Sequence, residues 1–357
     1  MLEVTDIFRK HSKSYLDKYL SNMLPSHKKA IDDILKCRTP IMGGKVYHCP
    51  CCKKYEYSYH SCGNRSCPKC QNDKANIWLE KSSKLLLPVN HFTVTELCRS
   101  MITFTVPEEL RTLARSNQKL FYSILFKSSS QTMEKLSLDP KYVGGKLGMI
   151  GILHTWSRTL IYHPHIHYIV TGGGYSKDND SRSLSSVEVW NKSWVVNSIP
   201  VGKGEKALKY LAQYVFRIAI SSSRIISLKN GVVTFKYKDS NTEEWKIMSL
   251  KAEEFIRRYL QHVLPSGFMK VRYYGLFASA NRKLLSKVRE ILGCKKLESK
   301  KKAQPIKTFK CKDCKKEMIV VSIMPRYGVI NNKAPPIAND ILRNLNPKRS
   351  AKKIFLR

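Results

Sequence analysis

Cysteines are concentrated near the start of this chain, and their spacing restricts what that region can fold into more than any other feature. Seven of the 11 cysteines fall between Cys37 and Cys70. Cys49-x-x-Cys52 is followed, fifteen residues on, by Cys67-x-x-Cys70. Each CxxC turn presents two thiolates, and an intervening hairpin can bring the two pairs together around one tetrahedral Zn²⁺. The spacing therefore predicts a small domain that depends on structural zinc for its folding energy.

Further potential zinc ligands surround these four cysteines. The residues that could build a second site are Cys37, Cys62, His48 and His60. Each of them could equally be a buried or neighbouring residue with no role in metal binding. Far along the chain, Cys311-x-x-Cys314 forms half of a potential site, with no evident partner pair in the sequence.

Basic residues greatly outnumber acidic ones. Lys and Arg number 64 and Asp and Glu 27, so the formal net charge is +37. A field of this sign attracts polyanions, and nucleic acid is the expected partner. No apolar run approaches a membrane span, and the first ten residues, MLEVTDIFRK, lack the apolar core of a signal peptide. We therefore expect a cytoplasmic protein with no membrane partner, in whose reducing setting cysteines bind metal instead of forming disulfides.

The segment His163-Pro164-His165-Ile166-His167 has the pattern of a strand with alternating histidines. Alternate side chains of a strand share a face, so the three imidazoles point the same way. Two histidines separated by a hydrophobic residue, the HUH pattern, can hold a divalent ion at a phosphodiester. His165 and His167 fit this pattern best, with His163 as a flanking substitute. The third ligand stays open between His154, on the preceding predicted strand, and Gln213.

A predicted helix over Ala207–Ile220 contains two tyrosines one turn apart, Tyr210 and Tyr214. A tyrosine phenol can attack a DNA phosphate and form a covalent phosphotyrosine link. Two such residues on one helix face allow two attacks in succession. The helix alone is also compatible with tyrosines that border a core, so the upstream histidine strand is what favours the catalytic interpretation.

Over most of residues 5–293 the chain resembles the IS91-type transposases, bacterial rolling-circle enzymes of the HUH class. The matching motifs, in order, are SCGNRSCPKCQ ending at Gln71, Phe104-Thr105-Val106-Pro107, His154-Thr155-Trp156, HPHIHYIVTGGG, the tyrosine helix and Arg272-Tyr273-Tyr274-Gly275-Leu276. The resemblance implies an α+β fold with a central antiparallel sheet flanked by helices, preceded by a small zinc-binding domain. We expect N-terminal helices and the zinc-binding domain over residues 1–90, the HUH nuclease domain over 91–293, and a basic, weakly ordered tail over 294–357.

The resemblance also implies the chemistry of the site. His165 and His167 would bind Mg²⁺ or Mn²⁺, and Tyr210 and Tyr214 would be the nucleophiles that form a 5′-phosphotyrosine intermediate. The substrate would be single-stranded DNA at the transposon ends and at the target, in a bacterial, nucleoid-associated setting. The basic residues predicted to contact DNA are Arg65, Lys69 and Arg217.

Two departures from the family pattern are visible. Ser66 stands where relatives often have histidine, and extra residues between Phe92 and Ile102, including Thr95 to Cys98, interrupt the usual direct run into the first strand. We expect this insertion to distort that strand. The alternative functions are an HUH replication initiator or relaxase, which shares the chemistry, and a non-catalytic zinc-dependent DNA-binding regulator, which needs neither the HUH histidines nor the tyrosines.

Overall fold

The computed structural model describes residues 2–70, 72–87, 91–93, 103–176, 199–200, 208–209, 215, 219–239, 242–294 and 308–326. The helices in these residues are α1 (Val4–Tyr19), α2 (Pro25–Lys36), α3 (Asn72–Ser83), α4 (Arg111–Ser116), α5 (Gln118–Leu138), α6 (Ala252–Leu260) and α7 (Arg282–Ile291). The strands are β1 (Gly44–His48), β2 (Tyr55–Tyr59), β3 (His91–Thr93), β4 (Thr103–Thr105), β5 (Gly148–Trp156), β6 (Tyr162–Thr171), β7 (Ile199–Pro200), β8 (Ile225–Lys229), β9 (Val232–Lys238), β10 (Trp245–Lys251), β11 (Val271–Gly275) and β12 (Ile319–Met324). Every pairing among them is antiparallel, and the predicted α+β class is confirmed.

A central sheet has the strand order β11-β5-β6-β3-β7, with β4 also paired to β6. Its two longest strands, β5 and β6, are buried along nearly their whole length. Strands of a sheet covered on both faces lose the alternation of apolar and polar residues that a half-exposed sheet shows. This is why the sequence of β5, GMIGILHTW, is almost uniformly apolar.

Helix α5 covers one face of this sheet. Its Tyr122 and Phe126 are fully buried in a cluster with β6 residues, and the Ser129 and Tyr168 hydroxyls lie 2.7 Å apart. On β5 beneath them, a Cβ added to Gly151 would lie 2.8 Å from the Tyr168 ring. The packing of α5 against the sheet therefore requires glycine at this position.

The opposite face of the sheet packs against α7 and part of α3. Its core contains Ile150 and Ile152 of β5, Ile169 of β6, and Leu285 and Val288 of α7. Even-numbered residues of β5 and odd-numbered residues of β6 point to this face, because side chains alternate along a strand. The three predicted metal-binding histidines lie in these two sets.

Strands β3 and β4 are two pieces of one edge strand. Thr93 pairs with Ile169 and Thr103 pairs with His167, so that only Tyr168 separates their partners on β6. A continuous strand would need one residue between Thr93 and Thr103, opposite Tyr168, whereas the chain has nine there, residues 94–102. These residues include the predicted insertion and lie outside the described part of the chain. The paired residues on either side keep their register, so the strand is divided at this point and its two halves persist.

The N-terminal helices pack against a later part of the chain. Helices α1 and α2 share a core with the meander β8-β9-β10 and with α6, and the rings of Phe8 and Tyr259 lie 5.2 Å apart in an edge-to-face contact. This core therefore contains residues from both sides of the predicted domain boundary near residue 90. The apolar face of α1 packs against α6, which lies far beyond that boundary in the sequence.

The segment predicted as a weakly ordered tail contains an ordered element. Strand β12 pairs with β1, which also pairs with β2, so that a three-stranded sheet joins residues 44–59 to residues 319–324. The prediction missed it because the lysine-rich sequence that begins after Cys294 hid the short apolar run IVVSIM. Within the described residues, no helix has the length and apolarity that crossing a bilayer requires.

Candidate active site and metal centres

Three histidines converge on the face of the central sheet opposite α5. His154 on β5 pairs directly with His165 on β6, and His167 lies two residues further along β6 on the same face. One ring nitrogen from each residue lies within 4.8 Å of the others. The His154 and His167 ring centroids are 4.4 Å apart, and those of His165 and His167 are 4.6 Å apart. Among the described residues, His154 is therefore the third member of the group, and His163 is not part of it.

Burial favours the neutral form of His154 and His165. Burial first, and then the neighbouring His167 imidazole, lower the pKa of His154 and of His165 well below the ordinary value. His165 Nδ1 lies 2.7 Å from the His163 carbonyl oxygen, and this hydrogen bond orients the ring. A neutral imidazole offers a nitrogen lone pair to a metal ion, so the three residues form a preorganised set of nitrogen donors.

An aromatic ring and a lysine border the three histidines. Trp156 stacks on His154 with ring centroids 5.2 Å apart, and Lys270 Nζ lies 4.5 Å from the centroid of the Trp156 ring. Burial, and after it the charge of Arg65, lower the pKa of Lys270 to about 7. No local pattern points to this lysine, because only the tertiary fold places residue 270 beside β5.

The two predicted nucleophiles, Tyr210 and Tyr214, and the alternative ligand Gln213 lie outside the described residues. Residues on either side of them are described: Leu208 and Val215 both have helical backbone. Leu208 is fully buried in the core that contains Ile150, Ile152 and Ile169, and Val215 packs against the same core. The two described residues on either side of the predicted nucleophiles therefore pack on the face of the sheet that presents the three histidines.

Four cysteines form a compact cluster at the base of the β1-β2 hairpin. They are Cys37, Cys62, Cys67 and Cys70, with all sulfur atoms within 4.8 Å of one another. Cys70 Sγ lies 3.5 Å from both Cys37 Sγ and Cys62 Sγ. Tetrahedral Zn²⁺ with thiolate ligands holds sulfur atoms about 3.8 Å apart, so this set fits a structural zinc site.

The predicted sharing of one zinc ion by two CxxC pairs does not fit the structure. Cys49 and Cys52 belong to a separate cluster with Cys311 and Cys314. The residues between the two pairs do form a hairpin, but Cys49 to Lys54 make its turn, whereas Cys62 follows the end of β2. Strands of five residues span about 16 Å, which separates the pairs instead of joining them. The alternating sequence YEYSY after the first CxxC is the signal that could have revealed this strand.

The predicted DNA-contacting residues Arg65 and Lys69 have partners within the protein. The Arg65 guanidinium donates to the carbonyl oxygens of Phe268, at 2.5 Å, and of Pro265. Lys69 Nζ lies 2.6 Å from a carboxylate oxygen of Glu3. These contacts hold the cysteine loop against neighbouring elements, and the contact of both side chains with DNA stays a prediction. Arg217 lies outside the described residues.

Ser66, the residue that departs from the family pattern, has no place among the ligands. The four-cysteine cluster beside it is complete without it. Its carbonyl oxygen instead accepts a 2.9 Å hydrogen bond from the Tyr259 hydroxyl of α6.

Comparison with known proteins places similar sequences along most of the chain. Residues 7–96 match the family described as a transposase zinc-binding domain, and residues 148–187 and 183–284 match the family described as a putative transposase. The chain is 31% identical over 344 residues to the putative transposase y4qJ of Sinorhizobium fredii, covering 82% of this chain and 84% of that protein. It is 26% identical over 301 residues to the transposase for insertion sequence element IS801 of Pseudomonas savastanoi pv. phaseolicola, covering 70% of each. No solved structure matches the chain.

Proposed function

Because this chain belongs to the IS91-type transposases, which have an N-terminal zinc-binding domain, we propose that it moves DNA by cutting and joining single strands with a tyrosine nucleophile. DNA is the partner of a transposase. The finer proposal is rolling-circle transposition of single-stranded DNA through a 5′-phosphotyrosine intermediate.

One observation supports this mechanism above the others. Leu208 and Val215 flank the two tyrosines in sequence, and both pack on the sheet face that presents His154, His165 and His167. A nucleophile and the group that activates its phosphate must meet within a few ångströms. The packing of Leu208 and Val215 on this face supports a tyrosine attack at the histidine site.

The three histidines would hold the catalytic divalent ion. When bound, such an ion polarises a phosphate oxygen as a Lewis acid and positions the phosphodiester. Three neutral imidazoles are softer donors than the oxygen ligands that Mg²⁺ prefers, so of the two predicted ions Mn²⁺ is the better match. Lys270 lies above the Trp156 ring beside the histidines, and in its protonated form it would attract a phosphate bound there.

The chemistry at the protein is a transfer between two oxygens. The phenol oxygen of Tyr210 or Tyr214 attacks the phosphorus and loses its proton, while the bond from phosphorus to the 3′-oxygen breaks and that oxygen takes up a proton. The strand then has a free 3′-hydroxyl, and its 5′-phosphate is linked to tyrosine. The link conserves the energy of the phosphodiester, so that rejoining requires no nucleotide hydrolysis, and the second tyrosine can repeat the attack on the receiving strand.

Structural zinc at Cys37, Cys62, Cys67 and Cys70 would hold the loop that contacts α6. A closed four-thiolate site leaves no open coordination position, so its contribution is to folding and not to cleavage. The Tyr259–Ser66 hydrogen bond connects this loop to α6.

Covalent capture tests the proposal. Purified protein is incubated with labelled single-stranded DNA that contains the element's ends, with Mn²⁺ or with EDTA, and run on a denaturing gel. We expect a metal-dependent protein–DNA band that is lost in the double variant Tyr210→Phe/Tyr214→Phe and reduced at least 100-fold in His165→Ala. Each single tyrosine variant shows which residue attacks first.

His163→Ala is the matched control, because His163 is the neighbouring histidine on β6 outside the three-histidine group. We expect it to keep most of the band. If DNA binds to the wild type without a covalent band at any tested end sequence, the nuclease proposal fails and a DNA-binding role without catalysis becomes the better account.

A further inference from the structure

Two segments that are far apart in the sequence meet in a second cluster of four cysteines. We propose that Cys49, Cys52, Cys311 and Cys314 bind a second structural Zn²⁺. This ion fastens the C-terminal hairpin, residues 308–324 with the antiparallel bridge between Lys310 and Glu317, to the turn between β1 and β2. The four sulfur atoms lie within 4.8 Å of one another, and Cys49 Sγ is 3.5 Å from Cys314 Sγ. Four thiols at this spacing fit tetrahedral zinc, with its sulfur atoms about 3.8 Å apart.

The two CxxC turns have the same backbone structure. The amide of Cys49 donates to the Lys54 carbonyl at 2.9 Å, and the amide of Cys311 donates to the Lys316 carbonyl at 2.9 Å. The residue that follows the second cysteine of each pair, Lys53 or Lys315, adopts the left-handed region, at φ 57° and 60°.

Left-handed backbone is unfavourable for lysine and persists only where the surroundings require it. The shared turn directs both thiols of each pair to one point, which is how paired zinc-binding turns in small domains present their ligands.

Apart from the pairing of β12 with β1, few contacts other than the four cysteines hold the C-terminal hairpin in place. Beyond the cysteines, the small core here contains Met318, with Tyr47 stacked on Phe309 at 4.3 Å. The ion pairs that cross the junction, Lys54–Asp313 and Lys312–Glu56, involve exposed lysines and contribute little. Strand β12 leaves Ile319, 54% exposed, on the surface. A bound zinc ion would supply the missing folding energy and would close the loop between two chain segments about 260 residues apart.

This site is distinct from the cluster of Cys37, Cys62, Cys67 and Cys70, which the β1-β2 hairpin separates from it. It is also independent of the proposed tyrosine chemistry, because zinc content and thiol protection can be measured on protein that never meets DNA. A failure of the covalent-capture experiment would therefore leave it standing.

The first test measures zinc per chain by elemental mass spectrometry in the full-length protein. We expect Cys311→Ser/Cys314→Ser and Cys49→Ser/Cys52→Ser each to contain one zinc ion fewer than the wild type. Cys51→Ser is the matched control, since Cys51 lies between the same ligands but is exposed and outside both clusters, and it should retain the wild-type content. Unchanged zinc content in Cys311→Ser/Cys314→Ser would overturn the proposal.

The second test needs no variant and so does not depend on how variants fold. The zinc-loaded wild type is treated with an alkylating reagent, and modified peptides are quantified by mass spectrometry. We expect Cys51 to react at least ten times faster than Cys49, Cys52, Cys311 and Cys314, and all four to become reactive together when a chelator removes zinc. Alkylation of Cys311 and Cys314 at the rate of Cys51 would contradict a shared site.

Discussion

Glu254, in the first turn of α6, forms ion pairs with two arginines of the same helix. Its carboxylate accepts hydrogen bonds from Arg257 Nε at 2.6 Å and from Arg258 Nε at 2.7 Å. The contact with Arg257, followed by that with Arg258, lowers the pKa of Glu254 from 4.5 to about 2. Because the folded-state pKa lies below the unfolded one, the stabilisation is present above about pH 4.5 and is lost as the pH falls towards 2.

We expect Glu254→Gln to lower the free energy of unfolding at pH 7 by roughly 1–2 kcal/mol, a figure reduced for the partial exposure of the pair. The loss should be smaller at about pH 3, and denaturant unfolding at the two pH values measures it. The control is Asp32→Asn, which removes an exposed ion pair with Lys36 and should cost at most about 0.5 kcal/mol. An equal loss at both pH values would show that packing, not charge, explains the effect.

Among the elements, the divided edge strand is the clearest departure from a regular sheet. Thr93 and Thr103 pair with residues of β6 that only Tyr168 separates, so the chain between them has eight residues more than a continuous strand needs. Deleting residues 94–101 leaves Ile102 to stand opposite Tyr168 and joins β3 to β4. We expect this deletion to raise the free energy of unfolding by roughly 1–2 kcal/mol, since it removes the entropic cost of closing a loop.

The matched control is the deletion of residues 94–100, which removes one residue fewer and so leaves two residues between β3 and β4. A shift of one residue turns every following side chain to the other face of a sheet, so this variant should lose stability and tend to aggregate. Thermal unfolding of both variants against the wild type gives the answer. If the longer deletion is the less stable of the two, β3 and β4 are not parts of one strand.

For the whole molecule, the net charge of +37 should dominate binding to DNA. Neutralised phosphates release counterions, and for single strands the logarithm of affinity falls by about 0.7 per contact for each tenfold rise in salt. With about six contacts, affinity should drop roughly 10²–10³-fold between about 50 and about 200 mM salt. The dependence of affinity on salt should be the same in His165→Ala, because the many lysines and arginines produce it. Anisotropy titration of the wild type and of this variant with labelled single strands measures the dependence. A flat salt response would mean that non-ionic contacts hold the DNA.

Local patterns were enough to predict several features of this protein. The alternation in HPHIH puts His165 and His167 on one face because a strand has a period of two. His154, a candidate third ligand in the sequence, pairs with His165 in the structure. The α+β class and membership of the IS91-type transposases are confirmed. These features depend on residues within one strand, or on motifs in a fixed order, and both are visible along the chain.

Only the tertiary structure decided which distant residues meet. The cysteine spacing predicted zinc but assigned the wrong partners, because the β1-β2 hairpin extends between the two CxxC pairs and keeps them apart. The partner of Cys49 and Cys52 is a pair about 260 residues away, on a segment that composition alone indicated to be a weakly ordered tail. The spacing of two cysteines shows that one turn can present both as ligands. Which two turns share a metal ion depends on the length of the strands between them and on which sheet edge a distant segment can pair with.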